Sequence, residues 1–363
     1  MAIPESANQK RSFDDGKLHI VVDGVGGDRA PSEPVAGAVT AARRFDKTLI
    51  TLVGPRELLE EEVTKHGGQP SNLQIEGAPE VIGMHESPVR ALREKRDSSI
   101  NRGATLVASG TADAFVSAGN TGAVVAASTL GMGLIEGVQK PGIAIPITAL
   151  DHSVLIIDVG ANVHCKPTHL FQYALMADVF ARDILKQPER RVGLLNVGEE
   201  ERKGTTLLKE AHELLADAPI NFVGNIEARE IFFGGCDIVV CEGFVGNVLL
   251  KTSESLTMKL VQYLKEEISK KFLRRIGFAL CKDVFKAVRN SADYAEYGGA
   301  PLLGIDGVTI IGHGRSDAKA IENAVREARS FVSHKVNSSI IEALRSAQSM
   351  SENSDQEHAA KFS

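Results

Sequence analysis

The chain has 363 residues, 43% hydrophobic and 24% charged, a balance that supports a sizeable core and excludes disorder along its whole length. Lys and Arg total 41 against 47 Asp and Glu, for a net charge of −6, and aromatics are 5% with no Trp. That excludes a general nucleic-acid binder working through a basic face or an aromatic stacking platform. Cys165, Cys236, Cys241 and Cys281 lack the paired spacing of a metal site and read as small packing residues in a reducing compartment. The first residues, MAIPESANQKRSFDDGK, contain no apolar signal core, so a cytoplasmic protein is expected.

In chain order, residues 1–17 read as a polar tail and LHIVV (18–22) as the first strand. A helix over about 33–44, the strand TLITLVG (48–54) and a helix over about 56–66 follow. Residues 114–135 hold no charge, yet their glycines, serines and threonines argue against a membrane span. They predict the strand AFVSA (114–118), a tight loop and a helix over 121–133. Next come SVLIIDV (153–159), a helix over 168–186, RVGLLNV (191–197) and a helix over 204–217. DIVVCEG (237–243), a long helical stretch over 247–290, VTIIGHG (308–314), a helix over 317–345 and a polar tail over 346–363 complete the chain. The strand runs are apolar throughout rather than alternating, as in strands covered on both faces. Strand and helix alternate, which predicts an α/β fold with a mainly parallel sheet flanked by helices, as one domain over 18–345.

Glycine collects at the strand ends with small polar, acidic or imidazole residues: Asp23-Gly24, Gly119-Asn120, Asp158 to Asn162, Asn196 to Gly198, Gly243 to Asn247 and Gly312 to Gly314. In open α/β sheets ligands bind outside the carboxyl ends of the strands, and glycines there let backbone N–H groups approach an anion. DGVGGD (23–28) is not GxGxxG, and neither a Walker-type phosphate loop nor a GxSxG elbow is present. SAGNTG (117–122) is the best anion candidate, with Gly119, Asn120, Thr121 and Gly122 at a strand-to-helix turn. Lys166, in DVGANVHCKP, has the point charge that suits phosphate. His85 and Glu86, and His164 with Cys165, lack zinc spacing, so no metal is expected.

Several long blocks carry a family resemblance: IVVDGVGGDRAP (20–31), ESPVRALREKRDSS (86–99), VSAGNTGAVVAAS (116–128), IIDVGANVHCKPTHLFQYALM (156–176), DIVVCEGFVGNVLLKTSESL (237–256) and YGGAPLLGIDGVTIIGHGRSDAKAIENAVREA (297–328). In this order they resemble the bacterial phosphate acyltransferase family, PlsX, over about 18–345. The resemblance implies transfer of a fatty acyl group from acyl carrier protein to inorganic phosphate. It implies an acyl phosphate product used by a membrane glycerol-3-phosphate acyltransferase in phospholipid synthesis. It also implies a fold similar to isocitrate/isopropylmalate dehydrogenases and phosphotransacetylases, without their nicotinamide or metal. Further implications are a homodimer and peripheral contact with the inner face of the cell membrane. Gly24 and Val25 stand where the family usually has Ala and Met, His164 where it has Asp, and Arg315 where it has Ser.

Phosphate attack on a thioester needs an anion site, a donor to the tetrahedral oxyanion and a proton for the departing thiolate. Gly119, Asn120, Thr121, Gly122 and Lys166 are candidates for the first, Asn162 and Asn247 for the second, and His313 for the third. Two other readings stand beside this one: a carrier-protein-binding or membrane scaffold without catalysis, and a dehydrogenase of the same broad fold. Over 259–289 nine basic residues face three acidic ones. Lys270, Lys271, Phe272, Leu273, Arg274, Arg275 and Ile276 there predict a basic amphipathic arm, broken near Gly277, that meets anionic lipid or an acidic carrier protein.

Overall fold

A computed structural model describes residues 17–149, 152–280 and 298–361. The elements are β1 (Leu18–Asp23), α1 (Ser32–Arg44), β2 (Thr48–Gly54), α2 (Arg56–Lys65), β3 (Leu73–Gly77), α3 (Pro88–Glu94), α4 (Ser99–Ala108), β4 (Ala114–Ser117), α5 (Thr121–Met132), β5 (Gly142–Ala149) and β6 (His152–Ile157). They continue with α6 (Pro167–Asp183), β7 (Val192–Leu195), α7 (Thr206–Ala216), β8 (Phe222–Ile226), α8 (Ala228–Phe233), β9 (Ile238–Val240), α9 (Gly243–Ser269), α10 (Phe272–Leu280), β10 (Ala300–Leu303), β11 (Thr309–Ile311), α11 (Ala318–Ser333) and α12 (Val336–Lys361). Where one domain was expected over 18–345, the chain divides into two compact bodies: residues 1–141 with 297–363, and residues 142–296.

In body one the strands run in the order β3-β2-β1-β4-β11-β10, all parallel except β10, which is antiparallel to β11. Ile20, Val21 and Val22 of β1 and all of β4 are buried, as their unbroken apolar runs require. In body two the order is β5-β6-β9-β7-β8, parallel apart from the β5–β6 pair. β7 and β9 are buried throughout, and α6 contributes Leu170, Tyr173 and Phe180 to that core. Within each body the glycine-rich loops therefore open at the carboxyl ends of parallel strands.

Three departures from the sequence reading have local causes. The helix expected over 317–345 is two helices, because Lys335 takes a left-handed conformation (φ 52°) and Asn337 Nδ2 donates to the carbonyls of Ile305 and Gly307 at 3.1 and 2.9 Å, pinning the start of α12. Residues 346–361, read as a polar tail, continue α12. The expected arm breaks at Lys270–Lys271, not near Gly277, which lies inside α10. There Ser269 Oγ donates to the Glu266 carbonyl at 2.8 Å and Arg274 Nη1 to that of Glu267 at 2.9 Å. Side chains thus satisfy carbonyls that a continuing helix would have used. Residues 281–290 of the expected arm lie outside the described residues.

Candidate functional site

In body one the loops after β1, β4 and β11 are knitted by their backbones. Gly312 N–H donates to the Ser117 carbonyl at 2.8 Å, and Asp28 N–H to that of Gly314 at 2.7 Å. Gly26 lies so close to the β4 loop that a side-chain carbon there would meet the Gly119 nitrogen at 2.8 Å, which only glycine avoids. Asp23, 2% exposed, organises this end of the sheet. Ser117 Oγ donates to Asp23 Oδ2 at 2.7 Å, Val25 N–H to Oδ1 at 3.2 Å, and Ser99 adds another hydrogen bond. Burial pushes the Asp23 carboxyl up from its ordinary pKa, against these donors, which pull it down.

Gly119, Asn120, Thr121 and Gly122 stand at the start of α5, as the strand-to-helix reading requires. The Asn120 side chain, however, is already spent. Its Oδ1 accepts from Ala123 N–H at 3.1 Å, capping the helix, and Nδ2 faces the carbonyls of Gly83, Met84 and Glu86 at 3.3, 3.2 and 3.0 Å. The amide expected to face an anion is thus engaged with these backbone groups. Thr121 and Gly122 are exposed in the first turn, where a helix leaves its N–H groups without intrahelical partners and its dipole favours negative charge. The segment 83–87 carries this loop and was not singled out as part of a site. Glu86 Oε1 accepts from Gly83 N–H and from Lys95 Nζ, both at 2.6 Å, and Lys95 also reaches the Val81 carbonyl at 2.7 Å. His313 follows β11 and is half-buried. Its Nδ1 accepts from Arg315 N–H at 3.1 Å.

In body two the loop after β6 is folded around Asp158, which is fully buried. Its Oδ1 accepts from the N–H groups of Ile143, Gly160 and Ala161 at 3.1, 3.0 and 2.9 Å, and Oδ2 from Asn162 N–H at 2.8 Å. Burial raises the Asp158 pKa while these donors lower it. Asn162 Nδ2 faces Asp158 Oδ2 at 3.4 Å and donates to Tyr173 Oη at 2.9 Å. Asn162 therefore ties the loop to α6. Gly243 N–H donates to the Asn162 carbonyl at 3.0 Å, and the start of α9 packs on the loop so closely that a side-chain carbon at Gly246 would sit 2.0 Å from the Asp158 carbonyl oxygen.

Asn247 is exposed on the first turns of α9 beside Gly160. Lys166 precedes α6, exposed, with its N–H donated to His169 Nδ1 at 3.0 Å and its ammonium in no ion pair among the described residues. Cys165 Sγ lies 3.8 Å from the Asn162 carbonyl, and burial pushes its thiol up, which suits packing rather than nucleophilic attack. Sequence reasoning placed Asp23 and Asp158 at strand ends without seeing that they fasten the loops, and it passed over Tyr173. The signal for both acids was an acidic residue closing an otherwise apolar strand. His313 and the α5 start thus stand in body one, and Asn162, Lys166 and Asn247 in body two. Among the described residues no group of three or more His, Cys, Asp or Glu could hold a metal ion, and no helix is long and apolar enough to cross a membrane.

On α9 and α10, Phe272 is 74% and Leu273 79% exposed, and Ile276 is exposed beside them. Lys270 and Arg274 both pair with Glu267, whereas Lys271 and Arg275 form no ion pair among the described residues.

Residues 18–339 match the family described as fatty acid synthesis protein. The chain is 47% identical over 326 residues to a phosphate acyltransferase from Nitratidesulfovibrio vulgaris, covering 90% of this chain and 94% of that one. It is 48% identical to a phosphate acyltransferase from Desulfitobacterium hafniense, covering 87% and 94%, and 45% identical to one from Geobacter sulfurreducens, covering 90% and 94%. Among solved structures, a phosphotransacetylase from Streptococcus pyogenes superposes with a TM-score of 0.56 at 16% identity, covering 87% of this chain and 94% of that one. The EutD phosphotransacetylase from Staphylococcus aureus gives 0.51 at 15%, covering 91% and 94%. At these identities the solved structures show a shared fold.

Proposed function

Because the chain belongs to the fatty acid synthesis protein family that includes the phosphate acyltransferases, we propose that it transfers a fatty acyl group from acyl carrier protein to inorganic phosphate, forming acyl phosphate for phospholipid synthesis. Identity of 45–48% to proteins named for that activity, over about nine-tenths of the chain, carries the reading. The strand-end loops support it, because they offer anion-binding backbone at helix starts rather than a nucleophilic side chain.

The chemistry needs no covalent enzyme intermediate. A phosphate oxygen adds to the thioester carbonyl carbon, the carbonyl electrons move onto oxygen, and the oxyanion collapses as the C–S bond breaks. The departing thiolate then takes a proton. Holding the reactants converts a bimolecular attack into an effectively unimolecular one, which can lower the barrier by several kcal/mol, up to about 7–11. We assign anion binding to the N–H groups of Thr121 and Gly122, with Gly119 and Asn120 shaping the turn, and a separate phosphate contact to Lys166. Within body two Asn247 is the candidate oxyanion donor, and within body one His313 is the candidate proton source. Asn162 and Asn120 act by positioning.

The same reading includes the isocitrate/isopropylmalate dehydrogenase-like variant of the fold, no cofactor, a homodimer, a cytoplasmic location at the inner face of the cell membrane, and supply of product to the membrane glycerol-3-phosphate acyltransferase. The exposed apolar side chains of α10, with Lys271 and Arg275, support contact with anionic lipid or an acidic carrier. The test is thiol release from palmitoyl-acyl carrier protein with and without phosphate. Release that depends on phosphate, with acyl phosphate as product, is expected. Binding of the carrier without release would instead make the protein a scaffold.

A further inference from the structure

Body two contains an apolar cavity of about 430 Å³ at the carboxyl ends of β7 and β9, within the range of small-molecule pockets. Leu195 and Val197 at the end of β7, Leu208 of α7, and Val245, Val248 and Leu249 of α9 supply its apolar wall. Asn196, Thr205 and Glu242 add polar groups. Its position follows the rule for α/β sheets, where the carboxyl ends of parallel strands receive ligands. Its wall is also joined to the loop described above. Cys241, which lines the cavity, lies with its Sγ 3.6 Å from the Asp158 carbonyl, and Gly160, fastened to Asp158, lies against Asn247.

A second depression, open and more polar, begins on the same helix. Asn247 and Lys251 line it, and Val248 lines both it and the apolar cavity. Val248, itself half exposed, therefore stands between an apolar groove and an open polar face carrying an amide and an ammonium. A fatty thioester has that division: a long hydrocarbon tail ending in a polar carbonyl. A further cavity of about 300 Å³, in body one, is lined by Arg93, Asn101 and Thr105 beside apolar residues.

We propose that the cavity between α7, the β7 and β9 ends and α9 receives the hydrocarbon tail of the acyl donor, and that Leu208 and Val248 set the chain length accepted. The carbonyl end emerges past Val248 at Asn247. This inference rests on the acyl-transfer reading and deepens it.

The experiment compares kcat/KM for palmitoyl and butyryl thioesters of acyl carrier protein in the full-length protein, followed by phosphate-dependent thiol release. Val248→Trp and Leu208→Trp fill the cavity. Each is expected to lower the palmitoyl-to-butyryl ratio about tenfold or more, since pocket contacts discriminate at that scale. A ratio unchanged within about twofold in both folded variants overturns the proposal. So does a change of oligomeric state in sedimentation velocity with the ratio intact, which would make the lining an interface between copies.

A second measurement needs no variant. A palmitoyl thioester bearing a terminal diazirine, irradiated with the wild-type protein, is expected to label peptides spanning 195–208 or 241–249. Labelling confined to other peptides overturns the proposal. A wild-type protein that releases no thiol in response to phosphate fails the acyl-transfer reading instead, and the crosslink then reports on the cavity separately.

Discussion

Asn120 and Lys166 entered as partners in one role, and their surroundings now separate them. Asn120 caps α5 and holds three carbonyls of the 83–86 segment. Asn120→Ala is expected to cost about 1–3 kcal/mol in urea unfolding as well as activity, because the cap is lost and carbonyls are left unsatisfied. Lys166 is exposed and forms no ion pair among the described residues, so Lys166→Ala is expected to raise the KM for phosphate while the unfolding midpoint stays put. Unaltered phosphate saturation in Lys166→Ala would remove it from the site. For His313, replacement by Gln is expected to abolish the alkaline limb of the kcat/KM profile, since a proton donor must be protonated to act. A large rate loss with the limb intact would make His313 a positioning residue. Gly246 tests the close approach of α9 to the Asp158 loop. With a carbon there 2.0 Å from a carbonyl oxygen, Gly246→Ala is expected to cost about 3 kcal/mol or more in the same unfolding experiment. The glycines and the asparagine were visible in the sequence. Their partners were not, because Gly83, Met84 and Glu86 lie 34 or more residues from Asn120 in the chain.

At the scale of elements, α11 carries a pH dependence. Burial raises the Glu327 carboxyl to about 7, and the Arg326 charge opposes it. Its folded pKa lies above the unfolded value, so the native state holds a proton that the unfolded chain releases. Stability therefore falls as pH rises from the ordinary carboxylate range through about 7. Glu327→Gln is expected to flatten this slope and to stabilise the protein at pH 8 by about 1–3 kcal/mol relative to wild type. Parallel stability curves for the two proteins between pH 4.5 and 8 would exclude the effect. The basic arm is the second case at this scale. With Lys270 and Arg274 both engaged by Glu267, Lys271→Gln with Arg275→Gln is expected to weaken binding to anionic vesicles most at low salt. Replacing Phe272, Leu273 and Ile276 with Ser is expected to weaken it at every salt concentration. If both folded variants bind such vesicles like the parent, the lipid contact lies elsewhere. Helical periodicity revealed the arm, but its break was set by side chains reaching the last carbonyls of α9, a contact that periodicity does not encode.

Body one is built from both ends of the chain, since β11 lies between β4 and β10 and α11 packs against α1. A chain ending at residue 296 would leave β4 with an unpaired edge and the apolar face of α1 uncovered. It is expected to lose cooperative urea unfolding of body one, read by amide hydrogen exchange over β1 to β4, and protected, cooperative exchange there would contradict this.

The α/β class, the parallel strands and the strand-end loops were determined by the sequence itself. Unbroken apolar runs demand burial on both faces, and glycine with a small polar residue marks the turn into the next helix. Family membership was legible for the same reason, since its motifs are contiguous blocks. The division into two bodies was decided only by the tertiary structure, because β11 pairs with β4, nearly two hundred residues earlier, and brings β10 with it. So were the contacts of Asp23, Asp158 and Tyr173 and the apolar cavity beside α9. Each depends on which distant backbone donors and side chains are brought within hydrogen-bond or van der Waals reach. Local periodicity carries no information about that until the chain has folded.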